Sequence, residues 1–340
     1  MNKSSRVLSR CACALALWLA AVAAFAADEP KPDIVRFVCT WGKHGSGPSE
    51  FDIPIGIAIN AADEVFITDH YNNRVQKFDA DGHFMTQFPV LPHPGGLAMD
   101  AEGKLYIGHF PAARGTKEQT PDRVTVYDGG GKLLREWGKS GAGDGEFSWV
   151  GGIAVAKNGE IFVADQTNRR MQVFDHSGKF LRKWGKYGTK PGEFGGNVTP
   201  KSRVGGPQFV TVNSAGEIYT TEASVGRVQK FTPQGEFLLQ WGDNQVKPGS
   251  FGGEFTPLKS SLIGPIAICV DAQDRLWVSS VGGRIQLFTR DGKYLGGFGE
   301  KSGTGNGEFF APHGVAINRH GQLYVVDTYN HRVQKFEVLR

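Results

Sequence analysis

Cysteine is scarce in this 340-residue chain: of four, Cys11 and Cys13 lie close to the N-terminus, leaving only Cys39 and Cys269 for the body of the protein. Two thiols are too few for a fold stapled by disulfides, so core burial must supply the stability. Long apolar runs are missing too. Beyond residue 26 no segment approaches the ~20 apolar residues that a membrane-spanning helix needs. Nor is there a surplus of charge. The chain carries 38 basic and 34 acidic side chains, and without Lys3, Arg6 and Arg10 the balance is 35 to 34. A sequence-independent grip on nucleic-acid phosphates needs a basic excess or a basic face, so nucleic acid is not an expected partner. No nucleophile triad can be placed, and no dinucleotide-binding glycine fingerprint follows a strand.

What is present begins with a leader. Lys3, Arg6 and Arg10 form a positive region, Cys11 to Phe25 an apolar stretch, and Ala24-Phe25-Ala26 a small-residue cleavage site. The stretch is short for an anchor, and Asp28 and Glu29 follow it. A cleavable signal peptide over residues 1–26 is expected, giving a periplasmic or secreted protein that starts near Ala27 and does not stay inserted in a membrane.

After residue 34 the chain repeats itself. Gly56-Ile57-Ala58-Ile59, Val65-Phe66-Ile67-Thr68-Asp69 and Arg74-Val75-Gln76-Lys77-Phe78 are followed by a last run ending at Phe88. The same order returns five times, and the equivalent small residues Ala58, Ala98, Ala154, Thr211, Cys269 and Ala316 lie 40, 56, 57, 58 and 47 positions apart. Four short β-branched or aromatic runs separated by Gly, Asp and Asn turns are strand and hairpin chemistry. Repeated at this length, they predict an all-β, six-bladed β-propeller of four-stranded antiparallel blades over residues 34–338. The sixth copy stops after its third strand. Ile34 to Gly42 matches the missing outer strand, so the N-terminal segment is expected to complete the C-terminal blade and close the ring. That places Cys39 on an outermost and Cys269 on an innermost strand of different blades. Two buried free thiols follow, because a disulfide needs Cα atoms within roughly 7 Å.

Asp327-Thr328-Tyr329-Asn330-His331-Arg332-Val333-Gln334-Lys335-Phe336 resembles the motif that defines NHL repeats, and Asp69 to Phe78 and Asp165 to Phe174 are close variants. The resemblance implies the six-bladed fold. It does not imply one function, since such propellers serve as peptide, protein, sugar and RNA binders and as metal-dependent lyases.

Several eye-catching groups read as scaffold. Arg74, Arg123, Arg170, Arg227, Arg284 and Arg332 recur in every unit, and four have an acid five residues earlier: Asp69, Asp165, Glu222 and Asp327. An acid–arginine pair repeated four times is a link within the blade rather than a catalytic pair. The Gly-Lys-Ser of residues 138–140 lacks the upstream glycine and the helix of a phosphate loop.

Antiparallel connectivity puts the turns from strand two to three, and from strand four to the next blade, on one face. That face receives every long segment: His109 to Asp122, Lys186 to Gly206 and Asp243 to Gly264. Variable loops on a rigid scaffold are where function concentrates, so this is the expected working face. Six of the nine histidines belong to it, His44, His70, His93, His109, His313 and His331, all in blades six, one and two. Imidazoles beside Asp69 and Asp327 suit a divalent metal such as zinc or calcium. The named metal candidates are His313, His109, His93, Asp69 and Asp327; His44, His70 and His331 read equally well as solvated or motif residues. His313 follows Pro312 at the head of an innermost strand. His109 stands where four other blades carry an acid, and such departures mark sites.

The chain is also similar to the peptidyl-hydroxyglycine amidating lyases, whose pattern sets a Pro-His pair at the head of three inner strands for zinc. Ala311-Pro312-His313-Gly314 fits, whereas in Leu91-Pro92-His93-Pro94 the histidine comes two residues early. This similarity implies a metal-dependent lyase or hydrolase at the channel mouth. The other expectation is a monomeric binding module for a peptide, protein or glycan partner, with Tyr187, Phe110, Phe255, Lys190, Lys201, Arg203 and Lys247 supplying contacts.

Overall fold

The computed structural model describes residues 33–110, 122–199, 202, 205–252, 264–299 and 302–339. The leader, the middle of two long connections, and Phe255, Lys201 and Arg203 lie outside the described residues. From Ile34 onward the chain forms one compact unit.

Six four-stranded antiparallel sheets follow one another as blades. Blade 1 comprises Pro54–Ile59, Val65–Asp69, Arg74–Phe78 and Phe84–Pro89, listed from channel to rim. Blade 2 comprises Pro94–Met99, Leu105–His109, Arg123–Tyr127 and Leu133–Trp137. Blade 3 comprises Val150–Val155, Ile161–Asp165, Arg170–Phe174 and Phe180–Trp184. Blade 4 comprises Val210–Val212, Ile218–Glu222, Arg227–Phe231 and Phe237–Trp241. Blade 5 comprises Pro265–Val270, Leu276–Ser280, Ile285–Phe288 and Tyr294–Phe298. Blade 6 is built from both ends of the unit: Val315–Ile317, Gln322–Asp327 and Arg332–Val338, then Val35–Trp41, paired in register from Val35 opposite Val338 to Trp41 opposite Val333.

The burial pattern follows from this arrangement. The second strands of blades 1 to 5 are buried at every position, because each lies between two neighbouring sheets. The outer strands alternate because the blades splay apart at the rim. Among the described residues the core is divided into apolar clusters, six of which each join a pair of adjacent blades, as where Ile57, Ile67 and Phe78 of blade 1 meet Tyr324, Val326 and Val333 of blade 6. Turn glycines lock the rim: a Cβ on Gly82, at φ 86°, would lie 2.4 Å from the Trp41 ring of the preceding blade. Trp137, Trp184 and Trp241 sit the same way over Gly178, Gly235 and Gly292.

Cys39 and Cys269 are both free, but neither is fully buried. Cys269 lies deep in the fold yet lines the central channel, a cavity of about 250 Å³ bounded by the inner strands. The expectation of two buried thiols is corrected by that hollow axis, which leaves an inner-strand side chain partly open.

Candidate functional site

The repeated acid–arginine pairs come first because they carry the working face. Arg74 donates through Nε to Asp69 at 2.8 Å, Arg170 to Asp165 at 2.6 Å, Arg227 to Glu222 at 2.8 Å and Arg332 to Asp327 at 2.7 Å. The remaining guanidinium nitrogens grip carbonyls of the connector from the preceding blade; Arg74 takes those of Ser46, Gly47 and Glu50. The carboxylate also accepts a connector amide, that of Asp52 at 2.7 Å in blade 1 and Phe310 at 2.7 Å in blade 6. Asp69 and Asp327 are fully buried in these networks.

His109 occupies the acid position of blade 2 and is fully buried. Its Nδ1–H donates to the carbonyl of Pro92 at 3.0 Å, and Nε2 accepts from the Thr125 hydroxyl at 2.7 Å. The acid's partner in blades 1, 3 and 6 is an amide seventeen residues earlier. In blade 2 that residue is Pro92, which has no N–H. A carboxylate there would face a carbonyl, whereas an imidazole supplies the donor. Burial pushes the imidazole down to about 4, so it is neutral, with both nitrogens engaged. His109 thus links the second strand of blade 2 to its connector and to Thr125 of the third strand.

The channel mouth is shaped by a residue on the entry to the inner strand in blades 1, 2, 3 and 6. Ile53, His93, Trp149 and Ala311 all adopt left-handed backbone, with φ of 55°, 58°, 66° and 48°. For a β-branched or bulky residue this costs of order ~1–3 kcal/mol and persists only where the surroundings impose it. They do so here. The amides of Ile53, His93 and Trp149 donate to His331 Nδ1 (3.2 Å), Asn73 Oδ1 (2.9 Å) and Asp122 Oδ1 (2.7 Å) of the preceding blade. Their carbonyls accept the amides of His70, Phe110 and Gln166 at 3.3, 3.0 and 3.1 Å.

These strained positions gather rings from four blades into an arc. The Phe310 and Tyr329 centroids are 5.6 Å apart in blade 6, and His313 lies 6.4 Å from Tyr329. His70 is 4.7 Å from Tyr71, 5.2 Å from His93 and 5.5 Å from Phe110, and Phe110 is 5.5 Å from Trp149. Phe110 fills the space above Gly95, where a Cβ would come within 2.6 Å of its ring. Ala223, Ile266 and Val281 pack with Ala311, and Phe209 and Tyr329 lie against them.

Two imidazoles in the arc are oriented by the backbone. His70 Nδ1–H donates to the Pro94 carbonyl at 3.0 Å, and His313 Nδ1–H to that of Ala311 at 2.9 Å. In both, the proton on Nδ1 leaves Nε2 as the lone-pair nitrogen. Burial lowers His70 to about 4 and also lowers His313, so both are neutral near pH 7. His70 is buried, not the solvated loop residue its sequence context suggests. His93 joins the arc, but the five expected metal candidates are not drawn into one shell. Among the described residues the group of ligand atoms lying within 4.8 Å of one another is His44, Asp52 and His331. There His331 Nδ1 already accepts the Ile53 amide, which puts its proton on Nε2; metal entry would cost that hydrogen bond.

Sequence reasoning found His313, His93 and Phe110 but passed over Tyr71, Trp149 and Tyr329. The signal was available in the positions before each inner strand and after each second strand, which vary while their neighbours repeat.

The NHL repeat family matches residues 51–78 and 311–336, the two units flanking the closure seam. The chain carries NHL repeats. This NHL-repeat propeller is 25% identical over 146 residues to protein brain tumor of Drosophila melanogaster, covering 40% of the chain and 13% of that protein. It is 44% identical over 50 residues to protein lin-41 of Caenorhabditis elegans, covering 15% of the chain and 4% of that protein. The chain therefore spans only a small part of the curated relatives it matches. Among solved structures, a protein of unknown function from Bacteroides thetaiotaomicron superposes with a TM-score of 0.61 at 16% identity, over 89% of this chain and 75% of the other. Virginiamycin B lyase from Staphylococcus aureus superposes with a TM-score of 0.53 at 18% identity, over 84% and 95%. At these identities the likeness is one of fold.

Proposed function

We propose that this NHL-repeat propeller is an exported binding module that takes a peptide, protein or glycan ligand at the channel mouth on its long-loop face. The observation that carries the reading is the arc of rings from His313 to Trp149, held by strained backbone at Ile53, His93, Trp149 and Ala311. Strain maintained by side chains from the preceding blade preorganises a surface. Tyr71 is half exposed, and Trp149 and Tyr329 are partly exposed, so the arc offers ring faces without a charged side chain among them. Rigid aromatic anchors of this kind dominate recognition energetics.

The test is capture on peptide and glycan arrays with the mature protein and a Tyr71→Ala/Trp149→Ala variant. Ligands bound by the first and lost by the folded second support the reading; identical capture by both removes it. N-terminal sequencing of protein recovered from outside the cytoplasm should begin near Ala27.

One observation favours a second reading, a metal-dependent lyase. His70 and His313 each hold Nδ1–H on a backbone carbonyl, the arrangement that orients metal-ligating histidines. Metal analysis of untagged protein decides it: about one equivalent of transition metal, lost in His313→Ala, would favour the lyase.

A further inference from the structure

On the short-turn face, four of the blades each hold a cation over an aromatic ring of the same blade. Lys77 covers Phe66, Arg182 covers Phe162, Lys230 covers Tyr219 and Lys335 covers Tyr324, at 5.4 to 5.8 Å. Each of these cations has a carboxylate: Glu64, Glu160, Glu217 and Asp81 respectively. Blade 2 lacks such a pair: its ring is Tyr106, and Val126 stands opposite it where Lys77, Lys230 and Lys335 stand in blades 1, 4 and 6. The remaining cation is Arg135, at the outer-strand position that Arg182 holds one blade later. Arg182 forks onto Glu160 with Nη1 and Nη2 at 2.6 and 2.7 Å. In blade 2 the residue at the position of Glu160 is Lys104. Arg135 is half-buried, yet among the described residues it makes no hydrogen bond and no ion pair.

Beside it is a cavity of about 450 Å³, whereas the corresponding space between blades 3 and 4 is about 280 Å³. Asp100 does not answer Arg135. Its Oδ1 accepts the amides of Glu102 and Lys104, and its Oδ2 accepts the Tyr106 hydroxyl at 3.1 Å. Glu102 is largely exposed and pairs with Lys104 at 3.4 Å. Lys157 and His176 add further basic groups to the wall.

We propose that this cavity is a second binding site, for a small-molecule carboxylate, in which the ligand takes on Arg135 the place that Glu160 takes on Arg182. The planar guanidinium fork matches a carboxylate in two parallel hydrogen bonds, and partial burial raises their value above that of a surface pair. The cavity has the volume of an ordinary small-molecule site, and Tyr106, Met99 and Val155 line it with apolar surface for the rest of the ligand. The site is separate from the channel mouth and does not depend on the function proposed there.

The test follows the Arg135 Nε–H resonance of nitrogen-15-labelled mature protein, assigned with Arg135→Lys, during titration with succinate and with benzoate. A saturable shift is expected with at least one of them. Arg135→Gln should abolish binding seen by calorimetry. Lys104→Glu, which supplies the carboxylate of the sister blade, should keep the fold and weaken binding by about 10-fold or more through self-occupation. The proposal is overturned if neither carboxylate saturates or if Lys104→Glu binds as the wild type does. It is also overturned if inorganic phosphate binds more tightly than both, or if an acidic peptide binds where the small carboxylates do not.

Discussion

At the scale of the residue, His109 shows how a repeat absorbs a change without acquiring chemistry. The swap of acid for imidazole is coupled to Pro92, which removes an amide donor, and to Thr125, which stands where the glutamine of the other blades donates to the acid. His109→Asp should therefore cost ~2–3 kcal/mol in urea denaturation, because a buried carboxylate would face the Pro92 carbonyl. Adding Pro92→Ala restores the amide and should recover part of that loss; a double variant no more stable than the single would reject the coupling. The buried imidazoles also set a pH dependence. His70 and His109 titrate near 4 in the fold and near the ordinary 6.5 when unfolded, so in that window the unfolded chain binds more protons. Stability should be complete above about pH 6.5 and fall as the pH drops toward about 4, by up to ~3 kcal/mol for each residue. His109→Gln should flatten the curve by roughly one residue's share, measured by denaturation across that range. The sequence made His109 conspicuous as an exception. Its explanation depended on a contact seventeen residues upstream, and that spacing gains meaning only once the connector is seen to lie over the second strand.

At the scale of the element, the strands were legible because hairpin turns and β-branched runs recur in a fixed order. Connectors recur as well, Gly138 to Gly145 having relatives at Gly185 to Glu193 and Gly299 to Glu308, and they fold alike: Phe51, Phe147 and Phe194 are fully buried plugs, and Glu50 and Glu146 cap the turns by accepting the amides of Gly47 and Gly143. What holds the connectors before blades 1, 3, 4, 5 and 6 down is the arginine of strand three, which sequence reasoning had confined to its own blade. Arg170 donates to the connector carbonyls of Ala142, Gly143 and Glu146 as well as to Asp165. Arg170→Ala should cost ~3–5 kcal/mol, since it frees the connector and strands a buried carboxylate. Arg170→Ala with Asp165→Asn should be less damaging than Arg170→Ala alone, because the uncompensated charge is gone. A denaturation series in which the pair is simply additive would mean that the carboxylate is not sensing the arginine. The mouth rings were missed for another reason: Tyr71 and Tyr329 read as part of the repeat motif and Trp149 belongs to no repeated pattern, and only the closed circle of blades turns positions distant in sequence into neighbours.

At the scale of the whole molecule, stability is shared among six junctions rather than held in a central core, so the weakest junction limits the ring. The seam is distinctive because its covalent connection is missing: the outer strand Val35–Trp41 is followed directly by blade 1, while the rest of blade 6 lies some 270 to 300 residues away. Closing such a loop costs entropy that grows only slowly with its length, and the paired strand must outweigh it. It brings Ile34 and Phe37 onto the cluster containing Phe336, Phe298 and Phe309, with the Phe37 and Phe336 rings 5.8 Å apart. It also seats Trp41 between Phe78 of blade 1 and Tyr324 of blade 6, at 5.8 and 6.2 Å. Deleting residues 34–42 removes these contacts from two junctions together and exposes the backbone edge of Arg332–Val338. The melting temperature should fall by on the order of 10 °C, as expected for losing several kcal/mol in a domain of this size. Because the open edge is a template for another strand, the truncated protein should also self-associate, which sedimentation would detect. A separate peptide of residues 34–42 should then restore the melt in a concentration-dependent way. A truncation that melts like the intact chain would mean that the ring does not depend on its seam.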